Sequence, residues 1–255
     1  MYRPSLDVFS FLATFARNCK KMTTPKIIHL CWFSNDPYPV EIKVCLDTWK
    51  KLLPDYQVKV WDYAAAKSIG CPFIDEALEA RKWAFAADVV RFYAVYQEGG
   101  VYMDSDIYLL RRFDEFLPQE GFATFGEKDK EDFGLQAAFF FGSAGNEFCK
   151  KMMDFYADRH FVNSDGSFND MISPYTMKAV AQSFGWQMND DQQVLSGLIV
   201  YPTHFLAPNN HYPVDDQTIG IHTVNGSWRK RKLGRYLEIK IKHVWHVIKY
   251  ALSQR

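Results

Sequence analysis

The most informative stretch of the sequence is Glu98-Gly-Gly-Val-Tyr-Met-Asp-Ser-Asp106, which follows a helical run that contains Asp88 and Arg91. In a β-strand, residues two apart point to the same side. A strand through this stretch therefore predicts that Asp104 and Asp106 present both carboxylates to one point. Two carboxylates suit a divalent cation that keeps some waters and shares its remaining positions with phosphate oxygens. At the end of a strand, such a pair lies where α/β folds bind nucleotides.

Two features upstream of the acidic pair bear on the same interpretation. Gly99-Gly100 would allow close backbone approach to a ligand. Asp88 and Arg91 are three residues apart on one face of a helix, where they would offer an acceptor to sugar hydroxyls and a cation to a diphosphate. The alternative for this pair is an ion pair on the helix surface.

Strands and helices alternate on both sides of this stretch. Apolar runs predict strands at 26–33, 56–61, 101–110, 122–125 and 137–141, and a β-rich segment at 198–222. Helical spacing of apolar residues predicts helices at 40–53, 75–97, 146–160 and 174–185. This alternation predicts an α/β fold with a mostly parallel central sheet covered by helices. We expect one domain over residues 22–228, with helical ends at 1–21 and 229–255.

The composition is that of an ordinary globular protein, with 255 residues and 48% hydrophobic residues. This apolar content excludes a disordered chain. No apolar run approaches the ~20 residues that a membrane-spanning helix needs, and the first 22 residues make a poor signal peptide. We therefore expect a cytoplasmic location.

The formal net charge of zero conceals an uneven distribution along the chain. Residues 1–21 hold four bases and one acid, and residues 229–255 hold nine bases and one acid. The segment 22–228 holds 17 bases and 28 acids. Apolar residues recur at helical spacing in both ends, which predicts basic amphipathic helices able to lie on an anionic membrane surface. The alternative is that both helices pack on the domain. No nucleic-acid partner is expected, given the acidic middle.

Several residues are better explained by packing than by a site. His29 lies inside a hydrophobic strand and is expected to be a hydrogen-bonded core histidine. The five cysteines form no CxxC pair, which predicts reduced thiols rather than a disulfide framework or a zinc site. The tryptophans expected to pack in the core are Trp49, Trp61 and Trp83.

Taken in order, these segments resemble glycosyltransferase family 32. These DXD sugar transferases include capsular-polysaccharide and yeast-type mannosyl transferases and are akin to the catalytic domains of glucosylating toxins. The stretches that carry the resemblance are Pro25-Lys-Ile-Ile-His29, Thr48-Trp49, Pro54-Asp-Tyr56, Trp61-Asp62, Ala84-Phe-Ala-Ala-Asp88-Val-Val-Arg91, Gly99-Gly-Val-Tyr-Met-Asp-Ser-Asp106, Ser173-Pro174, Tyr201-Pro202, Phe205-Leu-Ala-Pro208, Gly220-Ile-His222 and Gly226-Ser-Trp228.

The resemblance implies a GT-A type fold, a nucleotide-sugar donor, Mn²⁺ or Mg²⁺, and retention of anomeric configuration. It implies three metal ligands, namely Asp104, Asp106 and His222. The donor-binding residues that it implies are Trp32, Asp88, Arg91, Tyr102, Asp104, Gln136, Ser227 and Trp228. The implied catalytic residues are Asp88, Arg91, Asp106 and Trp228.

Specific roles also follow from the resemblance. Trp32 would stack on the base, and Tyr102 would shape the nucleotide pocket. Ser227 and Trp228 would hydrogen-bond the β-phosphate and the glycosidic oxygen. The chain departs from the family in two places: Gln136 stands near a position that is commonly Asn, and Ser173 stands where the family usually has Gly.

The predicted function is a metal-dependent retaining glycosyltransferase that uses a saccharide or lipid-linked saccharide acceptor. A UDP-sugar is favoured over a GDP-sugar, and peripheral contact with the inner face of the membrane is a further expectation. The acceptor would attack with the leaving phosphate as base, or the reaction would proceed by double displacement through Asp88 or Gln136. Two other functions stay open, a DxD phosphohydrolase of the haloacid-dehalogenase type and a non-catalytic carbohydrate-binding protein.

Overall fold

The computed structural model describes residues 24–34, 36–129, 132–169, 171–208, 214–223 and 241. The predicted helix at 1–21 and, apart from Ile241, the predicted helix at 229–255 lie outside the described residues, as do Ser227 and Trp228. Within the described part of the chain, no helix combines the length and hydropathy that crossing a bilayer requires.

Ten strands and six α-helices make up the described fold. The strands are β1 Ile27–Cys31, β2 Gln57–Trp61, β3 Gly100–Met103, β4 Ile107–Leu109, β5 Phe122–Asp129, β6 Asp132–Gly142, β7 Gln193–Leu195, β8 Leu198–Tyr201, β9 Leu206–Pro208 and β10 Gly220–His222. The helices are α1 Val40–Leu52, α2 Tyr63–Lys67, α3 Pro72–Glu79, α4 Trp83–Glu98, α5 Glu147–Tyr156 and α6 Ser173–Ser183. Short 3₁₀ turns lie at Asp114–Phe116 and Thr203–Phe205.

The central sheet has seven strands in the order β2-β1-β3-β6-β5-β8-β7. Three neighbouring pairs are parallel (β2/β1, β1/β3 and β5/β8), and three are antiparallel (β3/β6, β6/β5 and β8/β7). The predicted α/β class is confirmed, but the sheet is mixed rather than mostly parallel. One reason is local: β5 ends at Asp129 and β6 begins at Asp132, and strands so close in the chain can pair only in antiparallel fashion.

The predicted strand at 101–110 is interrupted at the acidic pair. β3 belongs to the central sheet, whereas β4 joins a second sheet with the order β4-β10-β9. Between them the chain turns, and the N–H of Ile107 donates to the carbonyl of Asp104 at 3.1 Å. The acidic pair therefore lies in a turn between two sheets and not on a continuous strand.

The predicted helix at 75–97 is two helices, α3 and α4. Arg81 lies between them with a φ of 54°, the left-handed region that ends a helix. The break allows α4 to pack along the central sheet independently of α3. As a result, α4 runs into Gly99 and delivers the chain directly to β3.

Apolar side chains fill both faces of the central sheet. Along β6, Phe140 packs among residues of α4 and α5, whereas Phe139 and Phe141 pack on the opposite face with Trp49 of α1. This alternation is the two-residue period of a strand that is buried on both sides. The carboxyl end of β3 is therefore packed between two layers of buried apolar side chains, one on each face of the sheet.

Gly99 and Gly100 serve the sheet and not a ligand, contrary to the expectation from sequence. They lie at the start of β3, whereas the acidic pair follows its end. A Cβ on Gly100 would lie 2.5 Å from the carbonyl oxygen of Ile27, and a Cβ on Gly99 would lie 2.8 Å from the backbone nitrogen of Ala144. The two glycines therefore allow β3 to approach its neighbouring backbone segments closely.

His29 is a fully buried core histidine whose two ring nitrogens both have partners, as predicted. Its Nε2 lies 2.8 Å from the carbonyl oxygen of Gly99, and Nδ1 accepts a hydrogen bond from the indole of Trp61 at 3.2 Å. The carbonyl requires a donor, so Nε2 carries the proton of the neutral ring. Burial lowers the pKa of His29 below its ordinary value.

We expect this buried histidine to make the fold less stable in mild acid. The unfolded chain takes up a proton at His29 below about pH 6.5, whereas the folded chain resists protonation, so stability falls as the pH drops through that value. Each pH unit removes at most about 1.4 kcal/mol of unfolding free energy. Urea unfolding at pH 7.5 and 5.5 should show a smaller acid loss for His29→Gln than for the unmodified chain. Equal losses would contradict the assignment.

Candidate functional site

The turn that carries Asp104 and Asp106 is held by hydrogen bonds with two neighbouring elements. The N–H of Asp104 donates to the carbonyl of Ala138 on β6 at 2.8 Å, which extends the β3/β6 pairing by one bond. The indole of Trp49 on α1 donates to the carbonyl of Ile107 at 2.8 Å. Backbone groups of a turn at a sheet end need such partners when they are buried. The carboxylates therefore project from an ordered backbone.

His222 reaches the acidic pair through the second sheet. β10 runs antiparallel to β4, with His222 opposite Ile107, and the N–H of Thr223 donates to the carbonyl of Asp106 at 3.1 Å. The Nε2 of His222 lies 3.5 Å from Oδ1 of Asp106. Ligand atoms of Asp104, Asp106 and His222 all lie within 4.8 Å of one another. The three predicted metal ligands are thus brought together.

The chemistry of this cluster fits a divalent cation. Two carboxylates in such proximity repel each other unless a positive charge lies between them. The Nδ1 of His222 is buried and, among the described residues, has no hydrogen-bond partner. Carboxylate and imidazole groups together suit Mn²⁺, and carboxylates with waters suit Mg²⁺.

Asp104 has two further contacts, with Tyr102 and Arg91. The hydroxyl of Tyr102 donates to its Oδ1 at 2.5 Å, and Nη2 of Arg91 lies 3.7 Å from the same oxygen. Burial raises the pKa of Asp104 above its ordinary value, the charge of Arg91 opposes the rise, and Asp106 adds to it. Tyr102 itself is almost fully buried, so its visible role is to hold this carboxylate.

Arg91 is buried beneath the site, and each of its three guanidinium nitrogens has a partner. Its Nε donates to the carbonyl of Ala87 at 2.9 Å, and its Nη1 donates to the carbonyl of Ala137 at 2.7 Å. Its Nη2 lies 3.0 Å from Oδ1 of Asp88, and the group stacks 4.9 Å from the ring of Tyr102. The alternative of a surface ion pair is wrong, because both members are over nine-tenths buried.

Asp88 is held by a residue whose role the sequence did not predict. The backbone N–H of Ser173, in the first turn of α6, donates to Oδ2 of Asp88 at 2.9 Å, and the Ser173 hydroxyl donates to Oδ1 at 2.7 Å. These two residues are 85 positions apart. The sequence offers two signals at this position, the departure from the family's Gly and the Ser-Pro dipeptide typical of a helix start, and neither identifies Asp88 as the partner.

The remaining predicted donor-site residues lie at the same edge of the sheet or outside the described residues. Trp32 follows β1, which runs parallel to β3; its indole donates to the carbonyl of Asp36 at 3.0 Å, and its ring lies 4.7 Å from that of Tyr38. The Oε1 of Gln136 accepts the N–H of Ala138 at 3.1 Å. Gln136 therefore uses its amide oxygen within its own strand.

Comparison with known families places the acidic turn inside a recognised region. Residues 39–123, about a third of the chain, match the family model described as "Glycosyltransferase sugar-binding region containing DXD motif". Asp104-Ser-Asp106 lies within the matched residues and has the spacing of that motif.

One curated protein and two solved structures illustrate the similarity. The chain is 31% identical over 100 residues to inositol phosphoceramide mannosyltransferase 3 of Schizosaccharomyces pombe (strain 972 / ATCC 24843), a match that covers 36% of this chain and 27% of that protein. The chain thus spans about a quarter of that relative. The solved structure of PaToxG glycosyltransferase aligns with a TM-score of 0.52 and 17% identity, over 70% of this chain and 76% of that one. A glycosyltransferase involved in glycosylation of the major capsid of PBCV-1 aligns with a TM-score of 0.46 and 12% identity, over 85% and 100% of the chains.

These findings confirm the predicted resemblance to the DXD sugar transferases. The α/β fold is of the GT-A glycosyltransferase type. The site defined by the geometry is an acidic turn with an imidazole beside it, above a buried Asp88–Arg91 pair.

Proposed function

We propose that this protein is a divalent-metal-dependent glycosyltransferase that moves a sugar from a nucleotide-sugar donor to an acceptor hydroxyl with retention of configuration. The observation that carries the proposal is the convergence of Asp104, Asp106 and His222 within 4.8 Å at the DXD turn of a GT-A type fold. Asp104, Asp106 and His222 would hold Mn²⁺ or Mg²⁺, which supplies positive charge to a departing diphosphate.

The chain's own residues would orient the donor. Arg91 is immobilised by two backbone carbonyls and by Asp88, so its charge is preorganised beneath Asp104. Asp88 would accept a hydrogen bond from a donor-sugar hydroxyl. Trp32, Tyr102 and Gln136 remain proposed donor-site residues by their position, and Ser227 and Trp228 remain so by the resemblance alone.

The hydrogen bonding around Asp88 and Gln136 favours attack by the acceptor on the same face over a double displacement. Both oxygens of Asp88 already accept hydrogen bonds from Ser173, and the amide oxygen of Gln136 accepts one from Ala138. Together with the contact of Arg91, these bonds leave Asp88 one acceptor position, on Oδ2, which the donor-sugar hydroxyl would occupy, and the neutral amide of Gln136 is a weak nucleophile. The acceptor proton would then pass to the leaving phosphate.

The acceptor is proposed to be a saccharide or a lipid-linked saccharide. The name of the S. pombe relative denotes mannosyl transfer to an inositol phosphoceramide, which supports an acceptor at a membrane surface. The basic segments 1–21 and 229–255 are suited to an anionic membrane surface by their charge. A cytoplasmic, peripheral location on the inner face of the membrane is part of this proposal.

A donor-hydrolysis screen tests the proposed activity. With Mn²⁺ present, we expect sugar release from one member of a panel of UDP-glucose, UDP-galactose, UDP-N-acetylglucosamine and GDP-mannose, with UDP donors favoured. Removal of metal by EDTA should abolish release, and added Mn²⁺ should restore it, because the carboxylate pair needs the cation to bind a diphosphate.

The same screen separates the alternative functions. Hydrolysis of p-nitrophenyl phosphate without sugar release would favour a DxD phosphohydrolase. Saturable saccharide binding without hydrolysis of any donor would favour a carbohydrate-binding protein. The phosphohydrolase hypothesis has little structural support, since the acidic turn follows β3 of a glycosyltransferase-type fold.

A further inference from the structure

We infer that Ser173 is a positioning residue that limits how Asp88 recognises the donor sugar. The inference rests on the proposed function and deepens it. Ser173 is fully buried, so its hydroxyl does not touch a substrate. Its effect on the donor would pass entirely through the Asp88 carboxylate.

The hydrogen-bond capacity of Asp88 is nearly exhausted by the protein. An ionised carboxylate offers about four acceptor positions. Oδ1 accepts from the Ser173 hydroxyl at 2.7 Å and faces Nη2 of Arg91 at 3.0 Å, and Oδ2 accepts the Ser173 N–H at 2.9 Å. One position, on Oδ2, remains for an incoming hydroxyl. A donor sugar would therefore be recognised at Asp88 by a single hydroxyl group in a defined direction.

The two bonds from Ser173 have different purposes. The backbone N–H is one of the unpaired donors at the start of α6, and a carboxylate at that point also suits the positive end of the helix dipole. That bond stabilises the helix start and would persist in any non-proline residue. The hydroxyl bond is additional, and it fixes the rotation of the carboxylate about its last torsion, which is otherwise loosely defined.

Removing the hydroxyl should therefore loosen the carboxylate without unfolding α6. In Ser173→Ala, Oδ1 loses one donor, and the carboxylate can turn and offer a second acceptor to the sugar. We expect about a tenfold loss in affinity for the preferred nucleotide-sugar, which is the lower end for a hydrogen bond to a charged group. We also expect the preference for that donor over its sugar epimer to shrink by a similar factor.

Calorimetric binding with Mn²⁺ tests the inference without requiring turnover. The probes are each intact donor of the UDP and GDP panel and, separately, UDP and GDP themselves. Ser173→Ala should weaken donor binding about tenfold and leave nucleoside diphosphate binding within about twofold, because UDP and GDP lack the transferred sugar that would reach Asp88. Thr176→Val is the matched control. Thr176 is a buried hydroxyl in the same turn region of α6, and its side chain contacts Met171 rather than Asp88.

A double-mutant cycle with Asp88→Asn then checks that the effect passes through Asp88. If it does, Ser173→Ala should add less than about a twofold loss in the Asp88→Asn background, since coupled residues are not additive. Should Ser173→Ala unfold at the assay temperature, Ser173→Cys, which keeps a weaker donor at the same place, should give an intermediate loss.

The outcomes separate this inference from the proposed function. Equal weakening of donor and diphosphate binding, no change on removing the hydroxyl, or additive losses in the cycle would each overturn the role of Ser173. If the unmodified protein binds donors but releases no sugar with any of them, the proposed transferase activity fails and the role of Ser173 is still decided by binding. If it binds neither donors nor diphosphates, both fail.

Discussion

Asp106→Asn should lower metal-dependent donor hydrolysis by about 10²–10³-fold, the range seen when one preorganised electrostatic group is removed from an active site. The substitution keeps the shape of the side chain but replaces a charged ligand with a neutral amide. Asp106 is the member of the cluster nearest His222, at 3.5 Å. Without its charge, Asp104 and His222 would have to hold the cation with one charged ligand fewer. Sugar release measured across a Mn²⁺ titration should show the loss even at saturating metal.

The substitution is expected to spare the fold, which makes the result interpretable. Asp106 holds Thr223 through its backbone carbonyl, and this bond does not depend on the side chain. Asp47→Asn, at an exposed position on α1, is the matched control and should retain the unmodified rate. Full activity of Asp106→Asn with an unchanged Mn²⁺ dependence would remove this residue from the metal site.

Gly100→Ala should destabilise the fold by about 3 kcal/mol or more, from two separate penalties. The residue has a φ of 109°, which side chains rarely adopt. The added Cβ would also lie 2.5 Å from the carbonyl oxygen of Ile27 and 3.3 Å from its Cβ. Neither backbone can move without breaking the pairing of β1 with β3. Urea unfolding followed by circular dichroism measures the loss.

Gly70→Ala separates the two penalties. Gly70 also has a positive φ, 71°, but a Cβ there would meet nothing within 4 Å. Only the conformational penalty applies, and we expect a loss of about 1 kcal/mol. If both variants lose the same stability, the close contact at Ile27 is not what requires glycine in β3.

Much of the local structure follows from the sequence pattern, and the two elements predicted wrongly have identifiable physical causes. The predicted first strand at 26–33 and first helix at 40–53 agree closely with β1 and α1, and the predicted end of the 75–97 helix agrees with the end of α4. The strand at 101–110 was predicted as continuous because alternation alone does not register a change of sheet. The helix at 75–97 was predicted as single because its apolar period continues across Arg81.

Within the site, the pairs that neighbour each other in the chain were predictable from spacing. Asp104 with Asp106, and Asp88 with Arg91, are two and three residues apart, and local geometry fixes their relation. His222 was expected beside the pair from the resemblance, and the structure explains it by the pairing of β10 with β4.

Contacts between elements that are distant in the chain determine the features of the site that residue spacing does not predict. Whether Asp88 and Arg91 face water or the interior depends on α6 and β6 packing over them, and the contact of Ser173 with Asp88 joins elements 85 residues apart. The same applies to Gly100. Glycine is required there because a side chain would collide with the neighbouring strand β1, and not because a ligand approaches. Residue type and local period specify which groups are available for chemistry, whereas only the packing of distant elements specifies which lone pairs and donors are left unused.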